Sequence, residues 1–432
     1  MRVTGWARYP AAEAAVTSVA SRSACIDAVS APGRLIARGA GRGYGDCAMN
    51  DRIVDMTPLR GIQSFDAQTG VVQCAGGALL GDIVEACLPH GWFPAVTPGT
   101  QFVTVGGAIA SDVHGKNHHR VGTFTRHVVR FDLLLGDGQV MDCSRTRNPD
   151  LFHATCGGMG LTGMILGAEL QLARVASGFV VQRSRRARSL DELLELSAAH
   201  GDAAYSVAWI DCVATGARMG RSVLFVGEHA TEGSLTPPRR HGRAVPVDLP
   251  AWMLNRHSMR AFNALYYRRH ASEAPRVVSY EEYFYPLDAL RDWYRIYGVR
   301  GFLQYQLVLP LESATEGMKA ILRRVGASGR ASFLCVLKNT GDAGDGVLSF
   351  PMKGYSLAMD FKCEAAAFDL LDELDSVVAD CGGRIYLAKD ARMKPGTFRR
   401  GYPRWQAFEA VRARYGAAGK FSSMQSRRLG LQ

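Results

Sequence analysis

The spacing of apolar residues changes near residue 175 of the chain. Before this point, short apolar runs rich in β-branched residues alternate with glycine-rich stretches, which is typical of short strands joined by loops. Two of these runs flank Asp137-Gly138, a dipeptide that favours the tight turn of a hairpin. The first part is therefore predicted to contain a helix at 79–88 and strands at 36–38, 53–56, 70–75, 128–135, 139–142 and 161–172.

After residue 175, runs with strand spacing alternate with longer segments of helical spacing. An alternation of this kind suits an antiparallel sheet with helices on one side, so we predict a fold of the α+β class. The predicted strands are 205–210, 222–226, 301–309, 331–338 and 355–361, and the predicted helices are 190–199, 312–326 and 364–380.

Three segments of this second part have a distinct composition. Residues 182–188 (QRSRRAR) are rich in arginine and are predicted to form a charged, exposed stretch. Residues 231–250 are rich in Pro, Arg and Gly, which indicates a mobile loop. The tail at 398–431 is basic and is predicted to be helical.

The composition indicates an ordinary globular protein of two or three domains. The 432 residues are 47% hydrophobic and 21% charged, which excludes a disordered chain or a small disulfide scaffold. No apolar run reaches 18 residues, the N-terminus lacks the apolar core of a signal peptide, and the ten cysteines form no CxxC pair. We therefore expect a cytoplasmic protein with reduced thiols.

The net charge of +11 favours anionic partners. A phosphorylated substrate, an anionic membrane face and a nucleic acid all fit this charge, as does a merely soluble basic surface. No nucleic-acid recognition motif or aromatic stacking platform accompanies the arginine clusters at 183–188 and 239–243. We therefore expect no nucleic-acid partner, and retain peripheral association with the inner membrane face, with the loop at 231–250 as the contact.

The strongest local signal is the stretch RGAGRGYGD at 38–46. Four glycines alternate over seven residues directly after a predicted strand, so successive backbone N–H groups can cradle a pyrophosphate. The stretch is neither the dinucleotide fingerprint GxGxxG opening a helix nor a P-loop, because no helical pattern and no GK[ST] follows. Taken alone, it also fits a tight turn between two strands.

Two further stretches of small residues follow, at 97–119 and 157–163. Glycines in such stretches let a flat ligand approach the backbone closely. His114, His118 and His119 raise the question of a metal site, but Gly115 and Asn117 favour a loop and no acidic ligand pattern accompanies them. We therefore predict no metal.

Three such stretches in this order resemble the flavin-binding domain of the vanillyl-alcohol oxidase type. Within that superfamily the chain is similar to the decaprenylphosphoryl-β-D-ribose 2′-oxidase family, the flavin subunit of an epimerase that makes the arabinose donor of mycobacterial cell walls. The resemblance runs nearly end to end. It is carried by RGAGRGYGD (38–46), VDMTPL (54–59), PGTQFVTVGGAIASDVHGKNHH (98–119), GGMGLTGMI (157–165), FYPLD (284–288), GFLQYQLVLP (301–310), SFPMKGY (349–355), GGRIYLAKDAR (382–392) and SRRLGL (426–431).

The resemblance implies an FAD-binding domain at 1–175, a substrate domain at 176–385 and a C-terminal segment at 386–432 that returns to the first domain. Many relatives attach the flavin through a histidine where this chain has Arg42, so the resemblance implies noncovalent FAD. The implied cofactor-binding residues are Ala37, Arg38, Gly39, Ala40, Gly41, Arg42, Gly43, Tyr44, Gly45, Asp46, Cys47, Gly99, Thr104, Val105, Gly106, Gly107, Ser111, Asp112, Val113, His114, Ile165 and Tyr386.

The reaction of the family is oxidation of a secondary alcohol on a furanose ring, with hydride transfer to the flavin. Lys389 matches the family's active-site lysine, and His114 matches a histidine beside the flavin; both are expected to be catalytic. Asp390 follows Lys389 on a predicted strand and is therefore expected to point away from it. The implied substrate-binding residues are Gln304, Gln306, Lys338, Tyr266, Phe284, Ser356 and Ala358.

The resemblance also implies partners and leaves alternatives. The substrate would be a polyprenyl-phosphate sugar or a sugar phosphate, and a short-chain dehydrogenase would reduce the keto-sugar to complete a 2′-epimerisation. Where the family has cysteine, asparagine, tryptophan and tyrosine, this chain has Ala358, Ser356, Tyr266 and Phe284, so a different sugar phosphate or a nucleoside stays open. An aldonolactone or alditol oxidase using oxygen is a further alternative, against which Arg42 weighs.

Overall fold

The computed structural model describes residues 1–238, 242–250, 252–330 and 334–431. Its helices and antiparallel sheets confirm the predicted α+β class. In chain order the strands are β1 (Arg2–Thr4), β2 (Ala11–Glu13), β3 (Ala15–Ser18), β4 (Ile36–Arg38), β5 (Arg52–Asp55), β6 (Ile62–Asp66), β7 (Val71–Ala75), β8 (Trp92–Pro94), β9 (Val128–Leu134), β10 (Val140–Ser144), β11 (Met164–Arg174), β12 (Phe179–Ala187), β13 (Tyr205–Ile210), β14 (Ser222–His229), β15 (Arg243–Ala244), β16 (Arg276–Ser279), β17 (Leu290–Arg291), β18 (Phe302–Pro310), β19 (Cys335–Thr340), β20 (Gly354–Lys362) and β21 (Arg384–Ile385).

The α-helices lie between these strands and over the C-terminal segment. They are α1 (Arg22–Ser30), α2 (Leu80–Cys87), α3 (Val105–Ala110), α4 (His118–Val121), α5 (Pro149–Thr155), α6 (Leu190–Ala199), α7 (Arg256–Arg269), α8 (Tyr280–Phe284), α9 (Leu311–Ser328), α10 (Ala365–Asp380), α11 (Pro395–Gly401), α12 (Trp405–Arg414) and α13 (Met424–Leu429). Short 3₁₀ turns span Leu88–His90, Phe124–His127, Gly216–Arg218, Trp293–Tyr297 and Leu387–Lys389. Within the described ranges, none of the helices is long and apolar enough to cross a membrane.

Two antiparallel sheets organise the molecule. The first has the order β10-β9-β11-β7-β6, with β8 also paired to β11, and includes the predicted hairpin at Asp137-Gly138. The second has eight strands in the order β16-β12-β14-β13-β19-β20-β18-β21. Helices α9 and α10 pack on one face of this second sheet because each carries an apolar stripe, as Met318, Ile321 and Leu374 illustrate by being fully buried. The other face of the sheet is left for polar side chains.

Three predictions for the second part need correction or completion. Residues 182–187 belong to β12, and the stretch is only partly exposed, because Ser184 and Ala187 are buried whereas Arg183 and Arg186 are exposed. The tail forms three short helices rather than one helical run. The strand predicted at 331–338 begins at Cys335, and its residues 331–333 lie outside the described part, as do residues 239–241 of the predicted loop.

The C-terminal segment returns to the first glycine-rich stretch. The amide of Met424 donates to the carbonyl of Met49 at 2.7 Å. Arg428 donates to the carboxylates of Asp46 at 2.8 Å and Asp390 at 2.9 Å. Since both carboxylates are buried, this guanidinium ties the glycine-rich stretch to the segment that follows the second sheet.

Candidate active site

One face of the eight-stranded sheet gathers polar side chains from three neighbouring strands. Gln304 and Gln306 alternate on β18 and therefore project to the same side, as predicted. Gln304 pairs across the strands with Asp360, and its amide donates to that carboxylate at 2.7 Å. Directly paired residues share a face of the sheet. The strand register thus assembles a polar face, which comprises Gln304, Gln306, Lys338, Ser356, Ala358 and Asp360.

His114, from the first part of the chain, reaches this polar face. Its Nε2 lies 2.8 Å from the side-chain nitrogen of Gln306, which also donates to Ser356 at 3.2 Å. Its ring packs 5.1 Å from the ring of Tyr386. Burial, together with the positive charge of Lys338, holds the pKa of His114 well below its usual range. The imidazole of His114 is therefore neutral, and its Nε2 accepts a hydrogen bond from the side-chain amide of Gln306.

The three histidines of this stretch do not converge. His118 accepts a hydrogen bond from the amide of Gly341 at 3.0 Å, and His119 donates to the carbonyl of Ala203 at 2.9 Å. Within the described ranges, no three histidine, cysteine or acidic side chains are grouped as a metal ion would require.

Lys389 ends the 3₁₀ turn Leu387–Lys389 and does not lie on the strand that was predicted for it. Its Nζ lies 3.5 Å above the centre of the Tyr44 ring. Asp390 pairs with Arg428 and not with Lys389, so the expected separation of lysine and aspartate is present but arises from a turn. Burial lowers the pKa of Lys389 to about 7, against an opposing effect of Asp360. Near neutral pH this amine is therefore able to accept a proton.

Asp360 is a candidate that the sequence reasoning missed. It is fully buried and accepts hydrogen bonds from Gln304 at 2.7 Å and from the Tyr297 hydroxyl at 3.3 Å. Burial raises its pKa to about 7, while Gln304 and Lys389 oppose the rise. The available signal was strand alternation, since Asp360 follows Ser356 and Ala358 at steps of two along β20.

Lys116 is a second missed candidate, two residues after His114. Its Nζ donates to the backbone carbonyl of Tyr283 and lies 4.2 Å from the centre of the Tyr283 ring. Burial, with a further contribution from Lys338, lowers the pKa of Lys116 to about 7, and burial lowers that of Lys338 to about 8. The positive charge of Lys338 lowers the pKa of both Lys116 and Lys389, whereas the carboxylate of Asp360 raises that of Lys389. The site is therefore cationic whenever these amines are protonated.

The first glycine-rich stretch presents a series of unused backbone donors. Within the described residues, the N–H groups of residues 39–43 donate to no acceptor of the protein, although these residues are half-buried. Successive free donors of this kind form a nest for an anion, so the residues present fit the pyrophosphate of FAD. Gly41 adopts φ +64°, a left-handed backbone that makes this curvature accessible.

Neighbouring contacts hold this stretch in place. The amide of Tyr44 donates to the carbonyl of Ala388 at 3.0 Å, which brings the stretch against the turn that carries Lys389. Arg38 lies beneath it and donates to the carbonyl of Thr4 at 2.7 Å. The carboxylate of Asp46 is occupied by Arg428 at 2.8 Å. The side chains of Arg38 and Asp46 therefore support the backbone of the stretch from within the protein.

Arg42, which the resemblance places where a flavin-linking histidine would stand, lies between two aromatic rings. Its guanidinium carbon lies 4.0 Å from the centre of the Trp6 ring and 5.2 Å from that of Phe102. Its Nε is buried and has no hydrogen-bond partner among the described residues. Burial lowers the pKa of Arg42, and the carboxylate of Asp288 opposes this effect. A guanidinium held between two rings with an unused donor is suited to an anionic ligand.

The second stretch meets the first at Thr104. Thr104 caps helix α3 by accepting the amide of Gly107 at 3.2 Å. A methyl group at Gly39 would lie 2.1 Å from the same Thr104 oxygen, so glycine is required for this contact. The amide of Gly106 donates to Gly76 at 2.8 Å, with Ile165 packed beside it. These glycines are therefore needed for packing between strand and helix.

Several predicted cofactor residues point into the protein interior. Val105 is fully buried in the core of the first sheet, and Asp112 accepts hydrogen bonds from Thr125 at 2.6 Å and from Ser349. The carbonyl of Ser111 accepts the Tyr386 hydroxyl at 2.7 Å. Of the others, Gly99 is exposed, Cys47 and Val113 are buried, and Ala37, Ala40 and Gly43 are half-buried.

Two predicted substrate residues lie at the border of the polar face. Tyr266 is on helix α7, and its ring packs 4.6 Å from the Trp209 ring. Trp209 pairs with Val336, two residues before Lys338 on β19. Phe284 is buried among aromatic rings, 5.9 Å from Lys116 Nζ. Tyr266 therefore reaches the polar face through Trp209, and Phe284 reaches the site through Lys116.

Known proteins show similarity at two scales. Residues 10–144 match the FAD binding domain family. Over its whole length the chain is 36% identical to the decaprenylphosphoryl-beta-D-ribose oxidase of Mycolicibacterium smegmatis, of which 97% is covered. An uncharacterized protein from the mprA 5′ region of Streptomyces coelicolor is also 36% identical, over 81% of this chain and 99% of that protein. Cytokinin dehydrogenase 2 of Oryza sativa subsp. japonica is 32% identical over 38% of this chain and 30% of its own length.

Proposed function

The chain belongs to the decaprenylphosphoryl-β-D-ribose oxidase family, and on that premise we propose that it oxidises a secondary alcohol on a furanose sugar. It is an FAD-dependent oxidoreductase. The oxidation would be the first half of a 2′-epimerisation, which a separate keto-reductase of the short-chain dehydrogenase class completes. The observation that carries the proposal is that Lys389 and His114 both adjoin the polar face with Gln304 and Gln306, since His114 is hydrogen-bonded to Gln306 and Lys389 interacts with Asp360 and His114.

The residues of the polar face and the lysines beside it have different roles in the proposed reaction. When bound, FAD supplies the acceptor for the hydride that leaves the carbinol carbon. Lys389, whose pKa is about 7, takes the hydroxyl proton. Gln304 and Gln306 hold the sugar hydroxyls, and Gln306 is itself oriented by His114. Lys116 and Lys338 supply positive charge for a phosphate.

A second candidate is the same oxidation on a different sugar phosphate or on a nucleoside. It is favoured by Ala358, a small side chain that pairs across the strands with Gln306 where the family carries a cysteine. Single-turnover bleaching of the bound flavin by ribosyl phosphates, with and without a polyprenyl tail, and by nucleosides separates the two candidates. Oxygen consumption during turnover separates both from an aldonolactone or alditol oxidase.

Acid precipitation of the purified holoprotein should release all of its flavin into the supernatant. Arg42 stands where a linking histidine would have to be, and a guanidinium does not form that bond. Absorbance of the pellet and the supernatant at the flavin maximum measures the distribution. Yellow colour that remains with the denatured protein would contradict noncovalent binding.

The rate of flavin reduction by substrate should rise with pH through about 7, because the neutral form of Lys389 is the proton acceptor. In Asp360→Asn the carboxylate that raises the lysine pKa is lost, so we expect this rise to move about one unit lower. Stopped-flow bleaching across pH measures the profile.

Tyr297→Phe is the matched control for this shift. It removes a hydrogen bond to Asp360 but keeps the carboxylate, so its profile should stay close to that of the wild type. An Asp360→Asn profile that coincides with the wild-type profile would show that Asp360 does not set the basicity of Lys389.

A further inference from the structure

Helix α7 covers the outer end of the polar side of the eight-stranded sheet. On its inner side Tyr266 packs against Trp209, whose strand neighbours the strand that carries Lys338. The helix therefore lies beside the candidate active site and also borders solvent, since Arg260, Leu265 and Arg268 are exposed.

A cavity of about 590 Å³ lies beneath this helix and is lined by arginines. Tyr267 stands between two of their guanidinium groups, 5.2 Å from Arg186 and 5.3 Å from Arg221. Asp211 is the carboxylate of the lining, and it pairs with Arg221 at 2.6 Å. No other lining arginine has an acidic partner within the described ranges. The lining arginines are Arg186, Arg218, Arg221, Arg260 and Arg268.

Like charges gathered in a concave site repel one another unless an anion compensates them. A guanidinium pairs with phosphate oxygens in a bidentate geometry, and several can share one phosphate group. The cavity is therefore suited to a phosphate-bearing ligand.

Exposed apolar side chains are concentrated on helix α7 and on the residues that precede it. Of the twelve large apolar side chains exposed in the described part of the chain, five fall within 247–265. Trp252 is 74% exposed and Leu265 68% exposed. Along residues 252–270 there is no aspartate or glutamate, whereas arginines stand at 256, 260, 268 and 269. The five are Val247, Trp252, Met253, Phe262 and Leu265.

We infer that helix α7 and the residues before it dock the protein on an anionic phospholipid bilayer, with a lipid phosphate in the arginine cavity. A small soluble anion would account for the cavity but not for exposed Trp252 and Leu265. Apolar side chains flanked by arginines are the pattern of a helix that lies in the membrane interface. The docking surface is defined here as Trp252, Met253, Phe262, Leu265, Arg260, Arg268 and Arg269.

The surface differs from the contact predicted at 231–250. Delivery of a lipid-linked sugar along this surface rests on the proposed function, whereas binding to a bilayer does not. The two are therefore tested separately.

The test uses the FAD-loaded protein and sedimentation with vesicles of phosphatidylcholine alone or with added phosphatidylglycerol. We expect binding to the anionic vesicles that weakens with salt. The double variant Arg268→Gln/Arg269→Gln should bind about 30-fold more weakly, at about 1 kcal/mol for each lost charge. Its matched control is Arg323→Gln/Arg324→Gln, which removes the same charge from exposed arginines of α9 and should bind as the wild type does.

A second pair of variants tests the apolar part. Trp252→Ser/Leu265→Ser keeps every charge and should also weaken vesicle binding, whereas Val299→Ser, at an equally exposed site, should not. The inference would be overturned if the Arg268/Arg269 and Arg323/Arg324 double variants lost vesicle binding equally. It would also be overturned if the wild type bound neutral and anionic vesicles equally. Binding of inorganic phosphate that needs Arg268 without any affinity for vesicles would also overturn it, in favour of a small-anion site. Bleaching of the flavin by detergent-dispersed substrate, measured on the same variants, reports separately on the proposed oxidation.

Discussion

Substitution Lys389→Ala should abolish flavin reduction by the substrate while the protein keeps its FAD. Lys389 Nζ lies over the Tyr44 ring, beside the glycine-rich stretch, and its pKa of about 7 suits a base that acts at neutral pH. Loss of a positioned acid–base group costs about 10²- to 10⁴-fold in rate. Stopped-flow bleaching under anaerobic conditions measures the rate, and the flavin spectrum verifies loading.

Lys394→Ala is the matched control for this substitution. Lys394 lies five residues later, is exposed and pairs with Asp372 at the surface, so its loss should leave bleaching unchanged. If Lys389→Ala bleaches at the wild-type rate, Lys389 is structural and His114 or Lys338 becomes the leading proton acceptor. A variant that loses its FAD as well would show that Lys389 supports the glycine-rich stretch.

Substitution Gly45→Ala should prevent FAD loading. A methyl group at residue 45 would lie 1.7 Å from the carbonyl oxygen of Asp390, a distance that no rotamer change can relieve because both groups are backbone-fixed. Either the glycine-rich stretch or the turn that carries Lys389 must move, and each movement disrupts the row of free amides. Overpacking of this kind also costs about 1–3 kcal/mol of stability.

Gly419→Ala is the control, because a methyl group there meets no atom within 4 Å. We expect Gly419→Ala to purify with a full complement of flavin and Gly45→Ala to purify largely colourless, as the ratio of flavin to protein absorbance measures. A fully loaded Gly45→Ala variant would show that the contact between this stretch and the Asp390 turn is not needed for cofactor binding.

The elements of the sheets were largely predictable because their signals are local. The helix at Leu190–Ala199 and the strand at Tyr205–Ile210 have the bounds predicted from the sequence. Strand β12 was missed because its second half contains three arginines, at 183, 185 and 186, and shows no alternation of apolar and polar residues. Helix α7 was missed because most of its residues are polar or exposed, and its few apolar residues stand out weakly among the arginines.

The sequence by itself determined the α+β class, because strand and helix spacing are properties of neighbouring residues, and its long motifs carried the family resemblance that implied FAD. The tertiary structure decided which charged groups meet. Gln306 lies 2.8 Å from His114 although 192 positions separate them, and Gln304 meets Asp360 across 56 positions. The lowered pKa of Lys116 and the arginine cavity under α7 likewise depend on burial between distant segments. Strand register and desolvation arise only when the chain is folded, so no local pattern could have carried them.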